Sequence, residues 1–194
     1  LRAIAERDAV TQTRPAAASC TQQFLCFRRQ RCLPDPVEML MRTPIHLAMS
    51  ELVPHAGRMR LLDAAIEGDE ESLRARVEIR ADSLFFDGSG VGAWVGIEYM
   101  AQTVAAWAGW RARLEGGEPK IGFLLGSRRY SCARPQFLLG DVLIVEAQRQ
   151  FQADNGLGHF DCRLSIDGAP VAEASLTVFE PDDAARFLSA RTYD

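Results

Sequence analysis

Two polar side chains, one helical turn apart in an otherwise apolar stretch, could carry out proton-transfer chemistry. Glu98 and Gln102 lie within residues 95–114, a run without proline that is rich in alanine. A carboxylate in apolar surroundings is costly unless it is paired or used. The surroundings favour its neutral, proton-donating form, whereas a helix N-terminus favours its anion. Glu98 is therefore a candidate acid or base, and the alternative is a carboxylate that only complements the helix dipole.

The stretch around these residues predicts one long helix that is buried on most sides. Residues 95–114 have helix-forming composition and are apolar almost all the way round. Gln102 has the i, i+4 spacing that would let it orient Glu98, and the alternative is a buried amide bonded to a strand. The aromatic residues in and just before this stretch are expected in the core or a dimer interface, or along an acyl channel. They are Trp94, Tyr99, Trp107 and Trp110.

Alternating patterns on either side of the helix predict antiparallel strands. Residues 72–80 alternate cleanly between apolar and charged side chains. Asn155-Gly156 and Asp167-Gly168 are hairpin signals, and the first predicts a type I′ turn with positive φ at both residues. Strands are expected over 61–67, 72–80, 121–132, 142–150, 157–166 and 171–179. A single apolar helix needs a sheet curled around it, so the fold class is α+β, with edges that could pair in a dimer.

The composition along the chain predicts one domain with appendages. Residues 1–42 lack periodicity and hold a basic cluster, which we interpret as a disordered or upstream-translated leader. A single domain is expected over 43–180. Residues 181–194 are expected to form a polar tail with a helical turn.

Charge and cysteine content limit the classes of partner. The net charge of -4 gives no reason to expect a nucleic-acid partner, and no apolar run in the sequence is long enough to predict a membrane span. The five cysteines are odd in number and form no CxxC pair, so neither a disulfide framework nor a metal site is predicted. A reducing compartment, the cytoplasm, is expected.

Four segments together resemble the FabZ-type β-hydroxyacyl-carrier-protein dehydratases. Residues 53–63 resemble the "LPHRxPxLLVD" opening of that family, and 85–89 its "FFxGH" loop. Residues 97–102 resemble "LEAMAQ", and 122–141 the following strand pair. The strings VPHAGRM, GAWVGIEYMAQ, GFLLGSRRY and DNGLGHFDC are similar to a divergent branch, the ApeP-type hotdog dehydratases of aryl polyene biosynthesis.

This resemblance implies a fold, a reaction and a partner. It implies the hotdog fold, an antiparallel sheet around one central helix, in a homodimer or a hotdog heterodimer. It also implies a dehydratase that converts a 3-hydroxyacyl thioester to the trans-2-enoyl thioester in fatty acid or aryl polyene synthesis. The substrate would be carried on the phosphopantetheine of acyl carrier protein, with no diffusible cofactor.

The resemblance also assigns candidate site residues, with one departure. Glu98 matches the glutamate of the family, whereas Ser89 stands where the family has its catalytic histidine. Serine cannot replace imidazole as a base near neutral pH. We therefore hypothesise that His55 approaches Glu98 and serves as the base; the alternative is a structural histidine bonded to backbone.

Backbone groups at the start of the helix are candidate donors to the substrate's thioester oxygen. Helix N-termini present unpaired N–H groups and positive potential. The candidates are the N–H groups of Ala93, Trp94, Val95 and Gly96, and Gln102 completes the expected substrate-binding set.

Two other functions stay open at the level of the sequence. In a hotdog acyl-thioesterase, Glu98 would activate water for attack on the thioester, and the loss of the loop histidine agrees with that reaction. In a non-catalytic hotdog partner, the chain would only bind an acyl chain or complete a heterodimer. Arg128, Arg129 and Arg134 could meet the acidic carrier protein or form an ordinary solvated face.

Overall fold

The computed structural model describes residues 42–181 and 183–189 of the 194-residue chain. The predicted leader lies outside the described residues except for Arg42. The guanidinium of Arg42 lies within 4 Å of the carboxylates of Glu67, Asp69 and Glu146, so the folded unit already includes this residue.

Nine strands and three α-helices make up the described part of the chain. In chain order they are β1 Thr43–Pro44, α1 Met49–Leu52, β2 Ala64–Gly68, β3 Ser72–Glu78, β4 Gly90–Gly92, α2 Gly96–Leu114, β5 Phe123–Cys132, β6 Gln136–Leu138, β7 Val142–Gln152, β8 Leu157–Ile166, β9 Ala169–Phe179 and α3 Ala184–Ser189. Two 3₁₀ turns, Gly57–Met59 and Ala93–Val95, precede β2 and α2.

The main sheet is antiparallel and has the order β1-β2-β3-β7-β8-β9-β5. Alternate residues of β3, β7, β8 and β9 are buried, and their apolar side chains form one core with those of α2. Trp107 of α2 meets Phe160 of β8 edge to face, with ring centroids 5.3 Å apart. The predicted α+β hotdog fold, with its sheet wrapped around one long helix, is confirmed.

Glycine lets a second helix approach α2 closely. A Cβ added at Gly109 would stand 1.9 Å from the carbonyl oxygen of Leu52, the last residue of α1. Only a glycine permits this contact, which holds the segment leading to the first 3₁₀ turn against the helix.

The two hairpins use different turns. Asp167 and Gly168 both have positive φ, at 51° and 76°, as a type I′ turn requires. At the other hairpin only Gly156 does, and its N–H donates to the carbonyl of Ala153 across a longer loop. The type I′ prediction for Asn155-Gly156 is therefore wrong; a type I turn followed by a left-handed glycine closes that hairpin instead.

A small second sheet was not predicted. β4 pairs with β6 antiparallel, from Gly90 opposite Leu138 to Gly92 opposite Gln136. Both strands have only three residues, and two of those in β4 are glycine, so neither shows an alternating pattern in the sequence. This sheet holds the loop before α2, and so sets where the helix begins.

The described chain continues past the expected domain boundary at residue 180. The helical turn predicted in the tail is α3, and Phe187 packs on the rings of Phe123 and Phe179, with centroids 5.0 and 5.3 Å away. In the described residues, no helix has the length and hydropathy required to cross a membrane. Cys132 and Cys162 are free thiols, and burial raises the pKa of Cys162.

Candidate active site

Glu98 lies in the first turn of α2, at the boundary between core and solvent. Its side chain is 37% exposed, whereas the following residues Tyr99 and Met100 are buried. The helix begins at Gly96, directly after the second 3₁₀ turn, so the carboxylate lies two residues from its start. This placement leaves the carboxylate accessible from outside while its backbone is fixed in the core.

Gln102 ties Glu98 to the first 3₁₀ turn. Its side chain is fully buried, and its amide nitrogen donates to Glu98 Oε1 at 2.9 Å and to the Met59 carbonyl at 2.8 Å. Its amide oxygen accepts the N–H of Leu61 at 2.9 Å. The predicted i, i+4 contact is therefore present, and the same amide also bonds to the loop backbone. One side chain fixes both the carboxylate and the loop.

His55 faces the same carboxylate. Its Nε2 lies 4.0 Å from Glu98 Oε1, which is close enough for an ion pair but too long for a hydrogen bond. Its Nδ1 is buried and has no hydrogen-bond partner among the described residues. The structure thus brings together the two residues singled out as the catalytic pair; whether they act in catalysis stays a prediction.

The N–H groups proposed as oxyanion donors are not equally available. The N–H of Ala93 donates to the Pro135 carbonyl at 2.9 Å, and that of Gly96 donates to the Ala93 carbonyl. A 3₁₀ turn pairs each N–H with the carbonyl three residues earlier. The N–H of Val95 is therefore engaged by the carbonyl of the residue before the turn. Of the four predicted donors, Trp94 has the N–H without an acceptor in the described part of the chain.

Tyr130 supports this turn and was not identified from the sequence. Its hydroxyl donates to the carbonyl of Ala93, and a Cβ added at Gly96 would stand 2.5 Å from the hydroxyl oxygen. Burial raises the pKa of Tyr130, so the hydroxyl stays a donor. The residue stands at the end of the GFLLGSRRY string, but a strand pattern does not reveal which carbonyl a tyrosine reaches.

Trp94 differs from the other aromatic residues of the helix region. Tyr99, Trp107 and Trp110 are buried, as expected of core residues, whereas Trp94 is 63% exposed. Its indole contacts Phe85, with ring centroids 5.2 Å apart at a steep angle. An apolar surface therefore lies beside the candidate oxyanion donor and is open in the isolated chain.

Ser89 takes part in the loop network of Asp87. Its hydroxyl and its N–H both lie within 3.0 Å of the Asp87 carboxylate, which also accepts the side-chain amide of Gln136. These hydrogen bonds from Ser89 lower the pKa of Asp87. In the described residues no hydrogen bond joins Ser89 to Glu98 or His55, so the serine organises the loop before β4.

Metal chemistry has no support from side-chain clustering in the described residues. Across 42–181 and 183–189, no three His, Cys, Asp or Glu side chains converge so as to hold a metal ion. Cys20, Cys26 and Cys32 lie outside that part of the chain.

Two kinds of comparison relate this geometry to known proteins. The family model described as "ApeP-like: ApeP dehydratase" matches residues 47–189, which include every residue of the candidate site. A solved structure, the dehydratase heterocomplex ApeI:P from Xenorhabdus doucetiae, matches at 24% identity with a TM-score of 0.70. That match covers 77% of this chain and 100% of the other.

A more distant match has a lower score. Cj0977, a sigma28-regulated virulence protein from Campylobacter jejuni, is 19% identical with a TM-score of 0.49, over 70% of this chain and 88% of its own. At 24% identity the Xenorhabdus doucetiae match establishes the fold, and the family model establishes the family.

Proposed function

The chain belongs to the ApeP-like dehydratase family, and from this premise we propose that it dehydrates a 3-hydroxyacyl thioester carried on acyl carrier protein. The product is the trans-2-enoyl thioester. The observation that carries the proposal is the approach of His55 to Glu98, within 4.0 Å, at the start of the central helix.

The reaction needs a base, an acid and a donor to the thioester oxygen. His55 Nε2 removes the proton from the carbon beside the thioester, and the C–H electron pair forms the new double bond. Glu98 in its neutral form gives its proton to the 3-hydroxyl group, which leaves with the C–O electron pair as water. The N–H of Trp94 holds the negative charge that develops on the thioester oxygen.

The hydrogen bonds of Glu98 agree with this division of roles. Oε1 accepts the amide of Gln102 and faces His55, whereas Oε2 has no hydrogen bond to the described residues. Oε2 is therefore the oxygen that would present a proton to the substrate. After water leaves, the proton on His55 returns to Glu98, directly or through one water, which restores both groups.

A second hotdog subunit is part of the proposal. β5 ends the order of the main sheet, and its outer edge has no strand partner in the described chain. Leu124 and Leu125 on this strand are exposed. The related Xenorhabdus doucetiae protein is a dehydratase heterocomplex. We propose that β5 pairs with a second hotdog subunit, either another copy of this chain or a different one.

Mass measurement of the carrier-bound product tests the reaction. The protein is incubated with a 3-hydroxyacyl carrier protein, alone and with any co-expressed hotdog subunit. Loss of one water is the expected result. Release of free hydroxy acid would make the protein a thioesterase, and an unchanged carrier in both mixtures would leave only a binding role.

Substitutions at the pair test the assigned roles. We expect Glu98→Gln and His55→Ala each to lower kcat by about 100-fold or more, since each removes a proton-transfer group. Ser89→Ala is the matched control, because that hydroxyl bonds to the Asp87 loop, and its kcat should stay within about 3-fold. Unchanged turnover in His55→Ala would place the base elsewhere.

A further inference from the structure

A small cavity beside the candidate active site is lined by three arginines and three acidic residues. It has a volume of about 130 Å³ and lies at the first 3₁₀ turn and the loop after β3. These charged lining residues are Arg58, Arg60, Asp63, Glu78, Arg80 and Asp82.

The acidic residues of this cavity are already neutralised. Arg80 lies 2.5 Å from Asp63, 3.7 Å from Glu78 and 3.8 Å from Asp82. Arg76 adds contacts to Asp63 at 3.6 Å and to Glu78 at 2.8 Å. The carboxylates therefore have arginine partners that do not include Arg58 or Arg60.

Arg58 and Arg60 are the unpaired cations of the cavity. Both are exposed, and neither has an ion pair or a side-chain hydrogen bond with any described residue. Of the arginines that the sequence suggests for a carrier protein, Arg129 pairs with Glu173 at 2.6 Å and Arg134 with Asp141 at 3.0 Å. Arg128 is exposed and has no ion pair among the described residues, but it does not line this cavity. Two free guanidinium groups facing one cavity are suited to a phosphate, which arginine binds in a bidentate manner.

The backbone links these cations directly to the catalytic pair. Arg58 and Arg60 flank Met59, whose carbonyl accepts the Gln102 amide, and the next N–H, that of Leu61, donates to the same side chain. Gln102 in turn holds Glu98. The backbone that carries the two arginines is therefore held beside the side chain that contacts Glu98.

We propose that Arg58 and Arg60 bind the phosphodiester of the pantetheine arm that carries the acyl group. The inference rests on the proposed function, because it is the carrier-bound thioester that brings a phosphate to this site. Coenzyme A thioesters share that phosphate chemistry. The experiment therefore uses substrates that distinguish recognition of the phosphate from recognition of the carrier protein.

Matched thioesters with and without phosphate test the inference. The same 3-hydroxyacyl group is supplied on pantetheine, on phosphopantetheine, on coenzyme A and on the carrier protein. For the double variant R58A/R60A we expect KM to rise about 10-fold to 100-fold on every phosphate-bearing thioester, the effect of losing charge-assisted hydrogen bonds. On pantetheine we expect no change in KM, and kcat should stay the same on all four.

Arg163→Ala is the matched control, because it removes an exposed arginine of β8 that has no ion pair in the described chain. It should leave all four KM values unchanged. Thermal melts of each variant check that the fold is intact. An equal rise in KM on pantetheine and phosphopantetheine would overturn the inference, as would a rise confined to the carrier protein.

Equilibrium binding separates this inference from the proposed reaction. Calorimetric titration with phosphopantetheine and with pantetheine needs no turnover. Tighter binding of phosphopantetheine to the wild type, lost in R58A/R60A, supports the phosphate site even if the protein releases no water. Equal affinity for the two compounds would contradict the site even if dehydration occurs.

Discussion

At the scale of single residues, Gln102 is the side chain on which the candidate site most depends. Truncation to alanine removes three hydrogen bonds at once and leaves the Met59 carbonyl and the Leu61 N–H unpaired. We expect Gln102→Ala to lower the free energy of unfolding by about 3 kcal/mol, since the variant loses three hydrogen bonds and the packing of a fully buried side chain. Urea denaturation measures this loss.

The next residue along the helix supplies a control for that prediction. Thr103 is also fully buried, and its hydroxyl donates only to the Tyr99 carbonyl one turn earlier. Thr103→Val keeps the side-chain shape and should cost less than about 1 kcal/mol.

The activity of Gln102→Ala distinguishes a positioning role from a structural one. Well below its melting temperature, we expect kcat to fall at least about 10-fold because Glu98 loses the bond that orients it. If kcat per folded molecule equals that of the wild type, Gln102 serves stability alone.

Whether the sequence predicts a contact in the site depends on how far apart the two residues are in the chain. The Glu98–Gln102 contact follows from helical spacing, which holds in any helix. The bond from the Tyr130 hydroxyl to Ala93 joins residues 37 positions apart, and no local pattern encodes that distance. Likewise, the loss of Ala93 as a free donor depends on where the Pro135 carbonyl is placed.

At the scale of elements, the packing of α1 on α2 requires a glycine inside a helix. In an exposed helix, replacing glycine by alanine stabilises by about 1 kcal/mol. At Gly109 the new Cβ would stand 1.9 Å from the Leu52 carbonyl oxygen, so the helices must separate. We expect Gly109→Ala to destabilise the protein by about 3 kcal/mol or more, measured by chemical denaturation.

The neighbouring position shows the ordinary effect of helix propensity. Ala108 is half-buried on the same helix, and Ala108→Gly should cost only about 1 kcal/mol. A stabilised Gly109→Ala variant would show that α1 does not rest on α2 at this point.

Elements with strong periodicity were predictable, and elements fixed by neighbours were not. The helix was expected over 95–114 and is found as Gly96–Leu114, because its apolar pattern is long. β8 was expected over 157–166 and has those bounds. β4 and β6 exist because they pair with each other, and the turn at Gly156 is set by a loop length that dipeptide signals do not specify.

At the scale of the whole molecule, β5 has an outer edge without a strand partner in the described chain and carries exposed leucines. Leu125 falls at an irregularity in the pairing of β5 with β9 and is 53% exposed. Lysine on an edge strand opposes pairing with another strand. We expect Leu125→Lys to abolish association with a second hotdog subunit, as measured by analytical ultracentrifugation, and to lower activity with it.

Phe151 offers a control for this edge. It lies near the end of β7, away from β5 in the strand order, and is 56% exposed. Phe151→Lys places the same charge on the same sheet and should leave association unchanged, if β5 is the interface.

Sedimentation of this chain in the absence of any other subunit then identifies the partner. A dimer formed by this chain alone makes β5 a self-complementary edge, as two-fold symmetry requires. A chain that is monomeric alone but pairs with a different hotdog subunit makes the edge specific to that subunit. If Leu125→Lys associates as well as the wild type does, the partner binds another surface, and the exposed Trp94 beside the candidate oxyanion donor becomes the next position to substitute.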